Sequence, residues 1–177
     1  MMQESNESIY LVGLMGSGKT TVAKLLAKRS GMQFVDSDHE VEARNGVNIP
    51  TIFEIEGEEG FRRRESQVIQ DLVSKPGIVL ATGGGAVLRP ENRAALRSNG
   101  WVVYLNVPPT DLYERTRHDK GRPLLQTEDP LAKLRELYAY RDPLYREVAH
   151  MVVDGGRMGA ATIVNLILRE YEKVCGH

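Results

Sequence analysis

The chain has 177 residues, 41% of them hydrophobic and 27% charged, which excludes a disordered, collagen-like or low-complexity protein. This length predicts one domain, 1–177, rather than two. Lys and Arg number 23 against 24 Asp and Glu, so the formal net charge is −1. We therefore expect no nucleic-acid partner, because proteins that bind polyanions usually carry a basic excess.

Two features of the composition bear on partners and location. The cations divide into 16 Arg and 7 Lys, and Arg suits bidentate binding of carboxylate or phosphate, although it is also an ordinary surface residue. The single cysteine, Cys175, excludes a disulfide within the chain and fits a reducing compartment. The first residues are polar and no run of 18 apolar residues occurs, so we expect a cytoplasmic protein without a membrane partner.

Five short apolar runs alternate with longer helical patterns. The runs cover residues 9–12, 33–36, 77–82, 101–105 and 151–153. Each run is nearly continuous in apolar character, as expected for parallel strands covered by helices on both faces. The pattern predicts an α/β fold, a three-layer α/β/α sandwich. The polar segment 118–129 interrupts the alternation and predicts a mobile surface loop, either a lid or a loop without function.

A phosphate-binding motif follows the first predicted strand. Residues 13–20 read GLMGSGKT and satisfy G-x-x-x-x-G-K-[ST] at the start of a predicted helix. Its backbone N–H groups would form an anion nest at the helix N-terminus. Lys19 is then expected to reach the β- and γ-phosphates, and the Thr20 hydroxyl to bind Mg²⁺. The alternative is a glycine-rich turn without a ligand.

Two carboxylates follow the second predicted strand. The period of two predicts that Asp36 and Asp38 lie on one side at the carboxyl edge of the sheet, where ligands of such folds bind. The third and fourth strands contain no acidic residue, so Asp36 is the candidate for the Mg²⁺ site. Asp38 would hold a substrate hydroxyl and accept its proton, or it would simply cap the following helix.

Two arginines fall on predicted core-facing arcs of helices. In the predicted helix 58–74, Arg62 and Glu65 lie within the apolar arc, which predicts a pair because a buried charge needs a partner. Arg141 lies in the apolar arc of a helix over 131–141, which we expect Asp142-Pro143 to end. Either arginine alone could extend its charge to solvent. Together, beside a nucleotide motif, they favour an acidic second substrate.

Further candidates are a run of three glycines and several arginines. Gly83, Gly84 and Gly85 follow the third strand, where backbone can approach a ligand closely; the alternative is a flexible turn. Arg122, in the polar segment, is expected to stabilise charge on a transferring phosphoryl group. Arg115 could stack on adenine or be a surface residue. The four histidines are not spaced as metal ligands.

The motifs GLMGSGKT, DSD, GEEGFR, ATGGG, RPLL and YRDPLY, in this order and over nearly the whole chain, resemble those of bacterial shikimate kinases. The resemblance implies phosphorylation of the shikimate 3-hydroxyl by ATP, with Mg²⁺, in the route to chorismate and the aromatic amino acids. It also implies a fold like that of nucleoside-monophosphate kinases, with strand order 2-3-1-4-5, a shikimate-binding region at about 37–66 and a lid at about 118–129. We expect a monomer.

The resemblance also implies roles for individual residues. The catalytic residues would be Lys19, Asp38 and Arg122. The ATP site would comprise Gly16, Ser17, Gly18, Lys19, Thr20, Thr21, Arg115, Arg122 and Arg157. Shikimate would bind Asp38, Arg62, Gly83, Gly84, Gly85 and Arg141. Thr20 and Asp36 would contribute to the Mg²⁺ site.

Two other functions compete with this interpretation. A gluconate or nucleoside-monophosphate kinase also pairs a phosphate-binding loop with an anionic acceptor, but the Arg, Asp and triple-glycine set argues against it. A nucleotide-dependent switch without phosphoryl transfer would be favoured by an N-K-x-D motif, which the sequence lacks.

Overall fold

The structure is a computed structural model, and it describes residues 7–119 and 121–175. Five strands form one parallel sheet in the order β2-β3-β1-β4-β5. They are β1 (Ser8–Val12), β2 (Gln33–Asp36), β3 (Ile78–Ala81), β4 (Gly100–Asn106) and β5 (Met151–Asp154). The sequence-based predictions of the α/β/α sandwich and of this strand order are confirmed, and every strand lies within two residues of its predicted run.

Helices cover both faces of the sheet. They are α1 (Lys19–Ser30), α2 (Ser37–Asn45), α3 (Ile49–Leu72), α4 (Pro90–Asn99), α5 (Pro109–Thr116), α6 (Pro130–Val148) and α7 (Ala160–Val174), with a short 3-10 helix at Pro123–Leu125. One core joins the sheet to α3, α4 and α6, through residues such as Ile69, Leu96 and Leu134. The other joins it to α1 and α7, through residues such as Leu26 and Ile167. Each fully buried side chain of this size stabilises the fold by about 1.5–3 kcal/mol.

The third helix begins earlier than predicted and has a kink. The Asn48 side chain accepts a hydrogen bond from the Thr51 N–H and so caps α3, which runs from Ile49. Gly57, with φ 73° and ψ −179°, interrupts the helical backbone. The predicted helix 58–74 therefore corresponds to the part after the kink, which ends two residues earlier than expected, at Leu72.

The predicted end of the sixth helix at Asp142-Pro143 is wrong. Helix α6 continues through Pro143 to Val148. A proline removes the N–H that would bond to the carbonyl four residues earlier, but that residue, Ala139, is exposed, so water can replace the donor. Tyr145 and Val148 extend the buried face of α6 beyond the proline. The free energy gained by their burial outweighs the cost of a proline within the helix.

Within the described part of the chain, no helix is both long enough and apolar enough to span a membrane.

Candidate active site

The GLMGSGKT loop links β1 to α1 through three glycines with positive φ. Gly13, Gly16 and Gly18 have φ of 150°, 80° and 96°. A Cβ atom on Gly16 would lie 2.6 Å from Cγ2 of Thr116, so a side chain at that position would meet both backbone strain and a steric overlap. Gly18 is the N-cap of α1, which directs the helix N-terminus toward the loop, as the motif predicts.

Lys19, the first residue of α1, is buried. Its Nζ donates hydrogen bonds to the carbonyl oxygens of Gly13 (2.6 Å) and Leu14 (2.8 Å). Burial lowers the pKa of Lys19 to about 7, and the carboxylate of Asp38 partly opposes this effect. Phosphate oxygens placed beside Nζ would favour its charged form.

Asp36 caps α2 and lies beside Thr20. One oxygen, Oδ1, accepts hydrogen bonds from the N–H groups of Asp38 (2.9 Å) and His39 (3.1 Å). The other, Oδ2, accepts one from the Thr20 hydroxyl at 3.3 Å. The capping role that we considered for Asp38 therefore belongs to Asp36. Because the helix begins at Ser37, Asp38 lies in the first helical turn, so the predicted strand alternation does not set its direction.

Asp38 shares a confined space with Glu65. Burial raises the pKa of Asp38 to about 7, the carboxylates of Glu65 and Asp36 add to the shift, and Lys19 and Arg62 oppose it. A Cβ atom on Gly83 would lie 2.5 Å from Oδ1 of Asp38 and 3.0 Å from Oε2 of Glu65. Only glycine leaves room for both carboxylates at this position.

The predicted pairing of Arg62 with Glu65 is confirmed. Nη1 of Arg62 lies 2.9 Å from Oε1 of Glu65, and the two residues are 7% and 1% exposed. Burial raises the pKa of Glu65, and the charge of Arg62 opposes this shift. Within the described residues, neither Nε of Arg62 nor Oε2 of Glu65 has a hydrogen-bond partner. The adjacent Arg63 is largely exposed.

Arg141 is the second buried arginine. It is 3% exposed, and its Nε and Nη1 have no hydrogen-bond partner among the described residues. A Cβ atom on Gly84 would lie 3.4 Å from Nη1 of Arg141, and a Cβ atom on Gly85 would overlap the guanidinium of Arg62. Gly85 therefore leaves room for the guanidinium of Arg62, and the guanidinium of Arg141 lies beside Gly84.

These residues line one cavity of about 550 Å³ at the carboxyl edge of the sheet. Of the predicted site residues, it brings together Gly16, Gly18, Lys19, Thr20, Thr21, Asp36, Asp38, Arg62, Gly83, Gly84, Gly85, Arg115, Arg122 and Arg141. Ser17, which belongs to the loop itself, is buried and does not line the cavity, and Arg157 is exposed outside it.

One wall of this cavity is apolar, and no motif in the sequence predicts it. Ile49, Pro50, Phe53 and Phe61 form it, and the rings of Phe53 and Phe61 are 5.0 Å apart. Phe61 also belongs to the core beneath α3. The wall arises because α3 begins at Ile49, nine residues before its predicted start, and so extends over the cavity.

Two arginines from the predicted nucleotide side also line the cavity. Nε of Arg122 lies 2.8 Å from Oδ2 of Asp119 within the segment 118–129. Arg115 donates hydrogen bonds to the carbonyl oxygens of Gly16 (3.2 Å), Ser17 (3.3 Å) and Gly156 (3.1 Å). Arg115 thus connects the phosphate-binding loop to the loop after β5, and its contact with adenine stays a prediction.

Comparison with known proteins identifies the family. A model of the shikimate kinase family matches residues 15–172. A shikimate kinase of Dechloromonas aromatica is 64% identical over 171 residues, which cover 97% of this chain and 93% of the relative. The chain belongs to the shikimate kinase family. A shikimate kinase of Ralstonia nicotianae is 60% identical over 95% of this chain and 88% of the relative.

Solved structures agree with the family assignment. A shikimate kinase from Acinetobacter baumannii, in complex with shikimate, is 50% identical with a TM-score of 0.92 and covers 94% of this chain and 93% of that one. The enzyme from Aquifex aeolicus is 37% identical with a TM-score of 0.83, over 93% and 96% of the two chains. The predicted resemblance is confirmed: the chain is a small-molecule kinase that phosphorylates shikimate with ATP.

Proposed function

We propose that the γ-phosphoryl group of ATP is transferred to the 3-hydroxyl of shikimate within the 550 Å³ cavity. The observation that supports this most directly is the pair of buried arginines. Nε of Arg62, and Nε and Nη1 of Arg141, have no hydrogen-bond partner among the described residues, and the two guanidinium groups lie beside Gly85 and Gly84. A buried guanidinium with unsatisfied donors is costly, so these donors favour an anionic ligand in the cavity. The phosphate-binding loop lines the same cavity.

The shikimate carboxylate binds Arg62 and Arg141 in this proposal. Guanidinium groups match a carboxylate in geometry and form charge-assisted hydrogen bonds. Glu65 fixes Arg62 in place and prevents it from rotating away from the cavity. The N–H groups of Gly84 and Gly85 have no acceptor within residues 7–119 and 121–175, and they supply further donors to the same ligand.

Asp38 orients the attacking hydroxyl. In its ionised form it accepts a hydrogen bond from that hydroxyl, which directs the oxygen lone pair toward the γ-phosphorus. A pKa of about 7 suits proton acceptance near neutral pH. The proton on the hydroxyl then passes to Asp38 as the new P–O bond forms and the bond to ADP breaks.

ATP lies on the phosphate-binding loop, with Lys19 beside its β- and γ-phosphates. As charge develops in the transition state, Lys19 and Arg122 stabilise it. Thr20 and Asp36 fit a Mg²⁺ site, because both present hard oxygen atoms and Oδ2 of Asp36 is not used by the helix cap. When bound, Mg²⁺ neutralises phosphate charge.

Other predictions about this chain stay proposals. Segment 118–129 acts as the lid and 37–66 as the shikimate-binding region. Arg115 and Arg157 lie on the adenine side. The chain, as one domain, acts as a cytoplasmic monomer.

A coupled assay of ADP release tests the proposal. We expect ADP release to depend on shikimate, and to be at least about 100-fold lower in kcat/KM with gluconate or with nucleoside monophosphates. Release that does not depend on shikimate would contradict the proposal.

A second arm tests the carboxylate contact with the methyl ester of shikimate, which keeps the hydroxyls and removes the charge. Because the ester leaves two buried guanidinium groups without an anion, we expect kcat/KM to fall by about 100-fold or more. Equal values for the acid and the ester would exclude Arg62 and Arg141 as carboxylate ligands.

A further inference from the structure

The three glycines after β3 differ in what holds their carbonyl groups. The Gly83 oxygen accepts a hydrogen bond from the N–H of Ala86 at 3.0 Å, and the Gly85 oxygen from the N–H of Leu88 at 3.1 Å. The Gly84 oxygen instead accepts a hydrogen bond from the hydroxyl of Tyr145, at 2.5 Å. Among these three carbonyl groups, only that of the middle glycine is held by a side chain from a distant part of the described chain, whereas the N–H of Gly83 donates to Oγ of Ser37 at 3.0 Å.

Gly84 lies between Arg141 and the phosphate-binding loop. A Cβ atom built on it would lie 3.4 Å from Nη1 of Arg141 and 3.5 Å from the backbone nitrogen of Met15 in the phosphate-binding loop. A rotation of the peptide between Gly84 and Gly85 would turn the N–H of Gly85 away from the cavity. A hydrogen bond to the carbonyl of that peptide prevents this rotation.

Tyr145 is itself held rigidly. Its side chain is fully buried, and its ring lies 4.9 Å from that of Tyr104. It follows Arg141 by four residues on α6, so both side chains leave the same face of the helix. Burial raises the pKa of Tyr145, so the hydroxyl keeps its proton and remains a donor at all pH values of interest.

We infer that Tyr145 is a positioning residue for substrate binding, which fixes the Gly84 peptide and Arg141 in one arrangement before shikimate enters. The inference rests on the proposed function of the cavity. The proposed role depends on the continuation of α6 past Pro143, since a helix that ended there would not present Tyr145 to Gly84. Tyr145 does not line the cavity, so its effect on the substrate passes through Gly84 and Arg141.

Substitution Tyr145→Phe tests this inference, because it removes the hydroxyl and keeps the ring. We expect the KM for shikimate to rise about tenfold, which corresponds to the loss of one well-formed hydrogen bond, while the KM for ATP changes less than about twofold. Both constants are measured with the other substrate saturating.

The matched control is Tyr10→Phe. Tyr10 is also fully buried, and its hydroxyl donates to a backbone carbonyl, that of Asn99, at 3.3 Å. Tyr10 lies outside the cavity, so its substitution is expected to lower the thermal midpoint without a change in either KM. A Tyr145→Phe variant that loses thermal stability but keeps the wild-type KM for shikimate would overturn the inference.

A measurement on the wild-type chain covers the case in which Tyr145→Phe does not fold. The Tyr145 hydroxyl proton is buried and hydrogen-bonded, so we expect slow exchange and a resolved NMR resonance that shifts when shikimate is added but not when ADP is added. A resonance that is insensitive to shikimate, in a protein that shows shikimate-dependent ADP release, contradicts the role of Tyr145. Absence of that release contradicts the proposed function instead.

Discussion

Arg62 and Glu65 form an ion pair with a separation of 2.9 Å on the core-facing side of α3, where their side chains are only 9% and 1% exposed. One turn of helix separates them, so the pairing is local and does not depend on another element. Glu65 uses one oxygen for this pair, and Arg62 keeps its Nε without a partner in the described part of the chain. The carboxylate therefore holds the guanidinium without using all of its donors.

Substitution Arg62→Lys is expected to raise the KM for shikimate by at least about tenfold and to leave the KM for ATP nearly unchanged. Lysine keeps the charge but offers a single ammonium group, which cannot pair with Glu65 and bind a carboxylate bidentately. Steady-state kinetics with each substrate varied in turn measure both constants. The control is Arg63→Lys, since Arg63 is largely exposed on the same helix. An unchanged KM for shikimate in the Arg62 variant removes Arg62 from the substrate site.

Substitution Glu65→Gln is expected to lower the free energy of unfolding by about 3 kcal/mol. It leaves the buried charge of Arg62 with only the half-exposed Glu58 as an ion-pair partner among the described residues, and breaking a buried pair costs that much. Urea denaturation monitored by circular dichroism measures the change. The control is Glu58→Gln, because Glu58 also approaches Arg62, at 3.4 Å, but its side chain is 53% exposed. We expect the control to change stability by less than about 0.5 kcal/mol, and equal losses in the two variants would contradict the assignment.

Asp38 is expected to set the acidic limb of the pH profile. Its pKa of about 7 means that kcat/KM for shikimate, at saturating ATP, falls as the pH is lowered through 7. Asp38→Asn is expected to lower kcat by about 100-fold or more and to remove this limb. Initial rates from pH 5.5 to 9 test both effects. Turnover near the wild-type value would leave Asp38 with a structural role only.

The raised pKa of Asp38 also has a consequence for stability. The folded state holds the proton more tightly than the unfolded state, whose pKa is near 3.8, so the stability contributed by Asp38 is present below about pH 4 and is lost as the pH rises through about 7. Asp38→Asn is therefore expected to raise the thermal midpoint relative to the wild type more at pH 8 than at pH 4.5. The same difference at both pH values would show that Asp38 titrates normally.

The strands and most of the site could be predicted from sequence because their signals are local. The phosphate-binding loop is one continuous motif, and Arg62 with Glu65 stands out because both fall on one helical arc. The end of α6 was mispredicted because Pro143 is locally unfavourable in a helix, whereas burial of Tyr145 depends on packing against β4. The hydrogen bond from Tyr145 to Gly84 joins residues that are 61 positions apart in sequence, so no local sequence pattern could predict it.

The directions of Asp36 and Asp38 also differ from the prediction made from the local sequence pattern. Strand alternation predicted that Asp36 and Asp38 point the same way, but the chain changes from strand to helix between them. Where one element ends depends on the cap, and here Asp36 caps α2 while its second oxygen faces Thr20. Two aspartates that are only two positions apart therefore take different roles.

His150 is expected to make stability depend on pH. Its Nδ1 accepts a hydrogen bond from the Val102 N–H at 3.0 Å, and burial lowers its pKa below the ordinary value of 6.5. The unfolded state then binds the proton more readily, so the contribution of His150 is complete above about pH 6.5 and declines as the pH falls below that value. In His150→Asn the amide oxygen can accept the same bond without titrating. We expect the thermal midpoint of the wild type to fall more between pH 7.5 and 5.5 than that of the variant, and parallel curves would show that Nδ1 is not the titrating acceptor.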